Sequence, residues 1–142
     1  MLELRGEAFS CGRSTFLDHD PARNEPTAKI FVRIQVGEHE FLARLDTGAA
    51  WSVMIAEVAE AVGVTNFGLK TTMKTPYGSI SGPLARVPIT LVAEEGQSLD
   101  VDSTFLIPHA WPHGIYLGYS GMLSSIRLAL DPLHNAFYFG GP

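Results

Sequence analysis

Apolar and polar side chains alternate with a period of two over much of the chain. From Ile30 to Val36 every second residue is isoleucine or valine, with one aromatic and two polar residues between them. A period of two places successive side chains on opposite faces of a β-strand. Gly37-Glu38 favours a tight turn, so Glu40–Leu45 is predicted to return as the second arm of a hairpin.

After the predicted hairpin, the regular alternation of apolar and polar residues ends. Trp51–Ile55 is rich in residues that favour strands and is predicted to form a third one. Ala56–Val62 has the composition of a short helix, and Gly63 follows it as a C-terminal cap.

The C-terminal half returns to short alternating stretches separated by turn residues. Pro88 has no N–H to donate, so the strand that contains it is predicted to be an edge strand or to bulge there. The predicted elements are strands at Ala85–Leu91 and Leu99–Ile107, a short helix at Gly121–Ile126, and two strands within Arg127–Phe139 about the turn Asp131-Pro132. So many short strands predict a mostly β fold, closed or sandwich-like, with one or two short helices.

The N-terminal part of the chain differs in composition. Cys11–Pro26 is polar and contains two prolines among its charged residues, so it is predicted to be an extended linker after a short N-terminal strand. The chain is therefore divided into residues 1–27, an N-terminal strand and linker, and residues 28–142, the folded domain.

Composition narrows the classes of function. The 142 residues are 46% hydrophobic and 18% charged, as in ordinary globular domains, and the formal net charge is −5. Scattered basic residues argue against a nucleic-acid partner. No apolar run reaches the ~20 residues that span a bilayer, so no membrane association is expected. With a single cysteine, Cys11, and no signal-peptide pattern, the chain is expected to be cytoplasmic, or a soluble domain of a larger protein.

Asp46-Thr47-Gly48 is the segment that packing explains least. An acid at the end of an apolar strand, followed by a hydroxyl and a glycine, is expected to have a partner or a function. The tripeptide occurs once, because Asp102-Ser103 runs into threonine and Asp131 into proline. The plain alternative is an Asx turn, in which the carboxylate caps its own loop.

Two other segments suggest chemistry at first sight. His109 and His113 have the spacing of metal ligands on a helix, but Pro108 and Pro112 forbid a regular helix there. Gly118–Gly121 does not match the Gly-x-Ser-x-Gly turn of serine hydrolases. Neither a metal nor another cofactor is expected.

From about Ala28 to Phe139 the chain resembles the retropepsins, the single-lobe aspartic proteases of retroviruses and their cellular and bacterial relatives. Four features stand in the family's order: a hairpin leading into Asp46-Thr47-Gly48-Ala49, a strand with a short turn, a glycine-rich hairpin at Pro76–Gly82, and Ile115-Tyr116-Leu117-Gly118 before the closing strands. The resemblance implies a closed β-barrel of the acid protease fold, with one lobe per chain.

The resemblance also implies an activity, namely an aspartic endopeptidase that cuts extended peptide or protein substrates. Asp46, Thr47 and Gly48 would be the catalytic segment, and a single Asp46 per chain requires a two-fold homodimer to supply the second carboxylate. Leu2 and Leu4, with the Phe137-Tyr138-Phe139 end, are the expected interface strands. The residues expected to bind substrate, partly through a mobile flap, are Ala49, Ala50, Tyr77, Gly78, Ser79 and Ile80.

The chain departs from the family's pattern in places that leave alternatives open. Retroviral members carry acids after the Gly-Ala pair, where this chain has Ala50, Trp51 and Ser52, and Ser120 stands where relatives often place an acid. The first alternative is a catalytically silent dimerisation or peptide-binding module of the same fold. The second, more distant, is a small β-barrel ligand-binder with a chance Asp-Thr-Gly.

Overall fold

The computed structural model describes residues 1–142 and consists mainly of short β-strands. The strands in chain order are β1 (Glu3–Leu4), β2 (Glu7–Ala8), β3 (Gly12–Thr15), β4 (Phe31–Val36), β5 (His39–Leu45), β6 (Ser52–Val53), β7 (Phe67–Thr75), β8 (Gly78–Leu91), β9 (Glu95–Gly96), β10 (Leu99–Leu106), β11 (Ile115–Leu117), β12 (Arg127–Asp131) and β13 (Ala136–Gly140). The helical elements are α1 (Ala56–Ala61) and a 3₁₀ turn at Leu123–Ser125. No helix is long and apolar enough to cross a bilayer.

Seven strands form one sheet that closes on itself. Its order is β10-β6-β11-β5-β4-β8-β7, and β10 also pairs with β8, so the sheet forms a barrel from which β7 and the first half of β8 extend as a hairpin. The side chains that alternate inward fill the barrel, among them Ile34, Leu91 and Phe105. The predicted mostly β, closed, single-lobe fold is confirmed.

Local predictions in this barrel hold where the sequence pattern is regular. The hairpin of β4 and β5 pairs Ile34 with Phe41. Helix α1 ends just before Gly63, whose φ of +85° is the left-handed conformation that glycine adopts without a steric penalty. At Pro88, β8 pairs only with β10, because β4 reaches β8 only at Thr90 and Leu91. Proline therefore occupies a local edge, as predicted.

The predicted linker is wrong between Gly12 and Thr15. These residues form β3, which pairs with β13 on one side and β9 on the other, and Phe16 is buried in the core. The stabilising partner is distant in sequence. Glu94 accepts hydrogen bonds from the backbone N–H and the hydroxyl of Thr15, at 3.0 and 3.1 Å.

The C-terminal strand does not suit the interface predicted for it. β13 lies inside the second sheet, of order β12-β13-β3-β9, so both its edges are hydrogen-bonded within the chain. Phe137 and Phe139 are buried against each other, with ring centroids 5.4 Å apart. A strand with no free edge and buried aromatic rings cannot pair with a second copy. Leu4, in contrast, is exposed on the small β1–β2 ribbon.

Candidate active site

Asp46 lies where β5 ends, next to the end of β11. The two strands are parallel, with Leu45 opposite Leu117, and the backbone N–H of Asp46 donates to the carbonyl of Leu117 at 3.0 Å. This hydrogen bond joins the two segments that the sequence singled out, Asp46-Thr47-Gly48 and Leu117-Gly118.

The loop after Asp46 is a tight turn held by its own aspartate. Gly48 N–H donates to Asp46 Oδ1 at 3.0 Å, and Ala49 N–H donates to the Asp46 carbonyl at 3.2 Å. A Cβ at Gly48 would lie 3.3 Å from Oδ1, which is close enough to disturb this contact. The Asx turn is therefore present. It uses one carboxylate oxygen, and the other, Oδ2, accepts no hydrogen bond within the chain.

A second loop closes against the first. Tyr119 and Ser120 donate backbone hydrogen bonds to the carbonyls of Ala49 and Ala50, at 2.8 and 2.9 Å. Gly118 N–H donates to the Oγ of Ser52 at 2.9 Å, and a Cβ at Gly118 would overlap the carbonyl of Trp51. Glycine is required at 118 because the two loops touch backbone to backbone.

Ser52 is a positioning residue that the sequence did not reveal. Its side chain is fully buried, and its oxygen accepts the hydrogen bond that fixes Gly118. The available signal was a single hydroxyl inside the apolar stretch Trp51–Ile55.

Two residues predicted for the site, Thr47 and Ala50, are exposed, and so is Tyr119 in the loop that hydrogen-bonds to Ala49. The Thr47 hydroxyl has no hydrogen-bond partner within the chain. Asp46 itself is partly buried, with 28% of its side chain accessible.

The β7–β8 hairpin packs against the loop that follows Asp46. Met73 and Ile80, one from each arm, join a small apolar cluster with Val53, and Ala49 packs at its edge. The backbone N–H of Trp51 points at the sulfur of Met73, 3.4 Å away. The hairpin predicted at Pro76–Gly82 is thus confirmed as a hairpin.

The hairpin tip is docked on the loop that carries the two histidines. Tyr77 stacks on His113 with ring centroids 3.6 Å apart, and Trp111 meets both rings edge-on. Gly78, with φ of +114°, allows the tight turn. Of the predicted substrate-binding residues here, Tyr77, Gly78 and Ser79 are exposed and Ile80 is partly buried. The role of His113 was missed because its partner is distant in sequence.

Burial makes the imidazole of His113 harder to protonate. Desolvation is the main cause of its lowered pKa, the positive charges of Arg23 and Arg44 act in the same direction, and Glu25 opposes them. His113 is therefore neutral at neutral pH.

Arg44 is the charged group nearest to Asp46. Arg44 is in β5 and Asp46 directly follows that strand, two residues on, so both side chains lie on the same face, and Arg44 Nη2 lies 3.9 Å from Asp46 Oδ2. Tyr116 holds the guanidinium, since Nη1 donates to its hydroxyl oxygen at 2.7 Å and the ring lies 4.7 Å from Cζ. Burial raises the pKa of Tyr116 to about 12, against the opposing effect of Arg44, so the phenol stays protonated.

Comparison with known proteins bears on the fold alone. No protein-family model and no curated protein matches the chain. Among solved structures, the retroviral protease-like domain of Ddi1 from Leishmania major is similar, at 17% sequence identity with a TM-score of 0.52. The match covers 77% of this chain and 86% of that one. The fold is retropepsin-like. In this retropepsin-like lobe, the loop of Asp46 and the loop of Gly118 meet, and the β7–β8 hairpin packs against the first of them.

Proposed function

We propose that the chain is an aspartic endopeptidase that hydrolyses peptide bonds of extended substrates. One observation carries the proposal. The only Asp-Thr-Gly of the chain is fixed to Leu117 by a backbone hydrogen bond, and the β7–β8 hairpin of this retropepsin-like lobe packs against the loop that follows it.

The chemistry requires a second carboxylate. Two carboxyl groups about 3 Å apart cannot both ionise, so they share a proton and act as one acid and one base. The base deprotonates a water molecule that attacks the peptide carbonyl, and the acid protonates the developing oxyanion and later the leaving nitrogen. Since each chain has one Asp46, we propose that a two-fold homodimer brings Asp46 and its symmetry mate together.

Exposed groups beside Asp46 support this assembly. Thr47 has a hydroxyl with no partner within the chain, and Ala50 and Tyr119 are also exposed. A hydroxyl at this place is free to donate a hydrogen bond to the loop of a second copy. The exposed Leu4 is the remaining candidate for an N-terminal contribution to the interface.

The hairpin supplies the substrate channel in this proposal. An extended peptide would lie between Ala49 and Ala50 below and residues 77–80 above, with the hairpin acting as a flap that excludes water. The hydrogen-bonding groups of the flap backbone suit an extended chain better than any particular side chain.

Asp46→Asn tests the proposal directly. An amide cannot serve as the base of the dyad, so cleavage of a fluorogenic peptide library is expected to fall at least about a thousandfold. Folding is expected to be unchanged by circular dichroism, because the amide oxygen can still accept from Gly48.

Asp102→Asn is the matched control. Asp102 is an exposed surface carboxylate whose only partner is Arg86, so the same chemical change there should leave cleavage intact. Cleavage that survives Asp46→Asn would end the proposal.

Peptide binding without cleavage is the second candidate function. It is favoured by the positions after Ala49, where Trp51 and Ser52 serve the fold and no acidic side chain is available to hold a substrate backbone. Wild-type protein that binds extended peptides yet cleaves none, at any pH between about 3 and 8, would support it.

A further inference from the structure

A polar cavity of about 540 Å³ opens beside the candidate site. Its size falls within the roughly 300–1,000 Å³ typical of small-ligand pockets. It is lined by the segment from Arg23 to Thr27, by Lys29 and Arg44, and by the stacked rings of Tyr77 and His113. All of these groups belong to one chain, so the cavity does not depend on a dimer.

Positive charge is concentrated in this cavity. The chain has 15 acidic and 10 basic residues, yet three of those basic residues, Arg23, Lys29 and Arg44, line it against one acid, Glu25. Arg23 and Arg44 also contribute to the lowered pKa of His113, after the larger effect of burial and against the opposing effect of Glu25.

The arginines are held in place by other groups. Arg44 is fixed by the hydroxyl of Tyr116, and Arg23 donates to the carbonyl of Pro112 and lies 3.5 Å from Asp20. Lys29 differs from both, since it is partly buried and has no carboxylate within 4.0 Å of its ammonium group. The cavity is therefore lined by two arginines whose guanidinium groups are held in place and by one lysine that has no carboxylate partner.

Arg44 connects the cavity with Asp46. It lines the cavity and also lies 3.9 Å from Asp46 Oδ2. An extended peptide advances about 3.3 Å per residue, so a side chain that enters the cavity belongs to a residue within about two positions of the cleaved bond.

We propose that this cavity receives a carboxylate side chain of the substrate, Glu or Asp, within about two residues of the cleaved bond. The inference rests on the proposed peptidase function and specifies its substrate class. Apolar residues at the bond itself remain compatible with it, because the cavity lies to one side of Asp46.

The test compares matched peptides. Fluorogenic peptides with an apolar pair at the cleaved bond carry Glu, or the isosteric Gln, at each of the flanking positions in turn. At one position the Glu peptide is expected to have a kcat/KM about fivefold higher than the Gln peptide, as suits one partly exposed ion pair. The difference should shrink as salt is raised, because ions screen the interaction.

Lys29→Gln is the informative variant. Its side chain makes no hydrogen bond or ion pair within the chain, so the substitution is expected to reduce the Glu-over-Gln ratio to near one without unfolding the protein. Lys70→Gln removes the same charge from an exposed position on β7 outside the cavity, and should keep the ratio. A preference for Glu that is unchanged in Lys29→Gln and Arg23→Gln would overturn the inference.

The outcomes separate this inference from the proposed function. Cleavage with equal rates for Glu and Gln at every position overturns the inference and leaves the peptidase standing. If no peptide is cleaved, the peptidase proposal fails, and the binding of labelled Glu and Gln peptides to Asp46→Asn, measured by fluorescence anisotropy, decides about the cavity. Equal affinity overturns the inference, and tighter binding of the Glu peptide, lost on adding Lys29→Gln, supports it.

Discussion

The ring of Tyr77 lies flat on the ring of His113, with centroids 3.6 Å and planes 13° apart. This contact joins the tip of the β7–β8 hairpin to the loop between β10 and β11, and Trp111 supports both rings from the edge. The hairpin held at its tip in this way also packs against the loop that follows Asp46. Opening it requires the stack to separate.

Acid is expected to loosen the hairpin tip. Burial and the charges of Arg23 and Arg44 hold the pKa of His113 below its ordinary 6.5, and Glu25 opposes them only in part. Undocking would restore the ordinary value, so the undocked state binds more protons as the pH falls below about 6.5. The docked state is therefore fully favoured above that pH and loses stability as the pH falls towards the lowered pKa.

Hydrogen exchange measures this effect. Backbone amides at residues 75–80 are expected to exchange faster at about pH 5.5 than at about pH 7.5, after correction for intrinsic rates. His113→Gln should remove the pH dependence, whereas His134→Gln, at an exposed turn remote in sequence, should keep it. Equal protection of the tip at both pH values in the wild type would contradict the prediction.

Ser52→Ala is expected to impair the site more than the fold. The change leaves the buried N–H of Gly118 without its acceptor, which costs about 1–3 kcal/mol of unfolding free energy. Because Gly118 adjoins the Leu117 carbonyl that positions Asp46, peptide cleavage should fall roughly ten- to a hundredfold. Urea unfolding and kcat/KM measure the two effects.

Ser103→Ala provides the comparison. Ser103 is equally buried and donates to the carbonyl of Val87, on the β8–β10 side of the barrel. A similar loss of stability is expected, with cleavage retained. If the loss of cleavage in each variant simply follows its loss of unfolding free energy, Ser52 has no positioning role.

Gly118→Ala tests the close approach of the two loops. The new Cβ would overlap the Trp51 carbonyl and lie 2.7 Å from Ser52 N, both rigid backbone atoms, so we expect a loss of about 2 kcal/mol or more. Gly141→Ala is the matched control, because its Cβ would meet only Leu99 Cδ1 at 3.8 Å. If the two variants unfold at the same denaturant midpoint within error, close approach of the two loops does not explain the glycine at 118.

The sequence predicts best where local pattern and tertiary packing agree. Strands β4 and β5 alternate regularly about Gly37, and Gly63 ends α1, so both were predictable. β3 was missed because Gly-Arg-Ser-Thr has no apolar alternation, and its stability comes from Glu94 and β13. Distant pairings of this kind leave no local signal.

The same distinction applies to the candidate site. Asp46 and Gly118 could be identified from the motifs that contain them, and the structure brings their loops together. Ser52, Arg44 and His113 act through partners 66, 72 and 36 residues away (118 − 52, 116 − 44, 113 − 77), so one sequence gives no reason to choose them. The apolar Phe137–Phe139 strand suggested an interface, but the same pattern serves an inner strand equally well.

Mixing wild-type chain with Asp46→Asn chain tests whether the dyad is shared between subunits. If subunits exchange at random, an equal mixture contains twice as many dimers as the wild-type chains alone would form, and about one quarter of them are wild-type homodimers. Activity per wild-type chain therefore falls to about half. A fourfold excess of the variant should reduce it to about one fifth by the same statistics. An equal amount of an unrelated protein controls for non-specific effects. Activity that stays constant as the variant is added, under conditions where labelled subunits are seen to exchange, would mean that one chain suffices and that Asp46 has no carboxylate partner in a second copy.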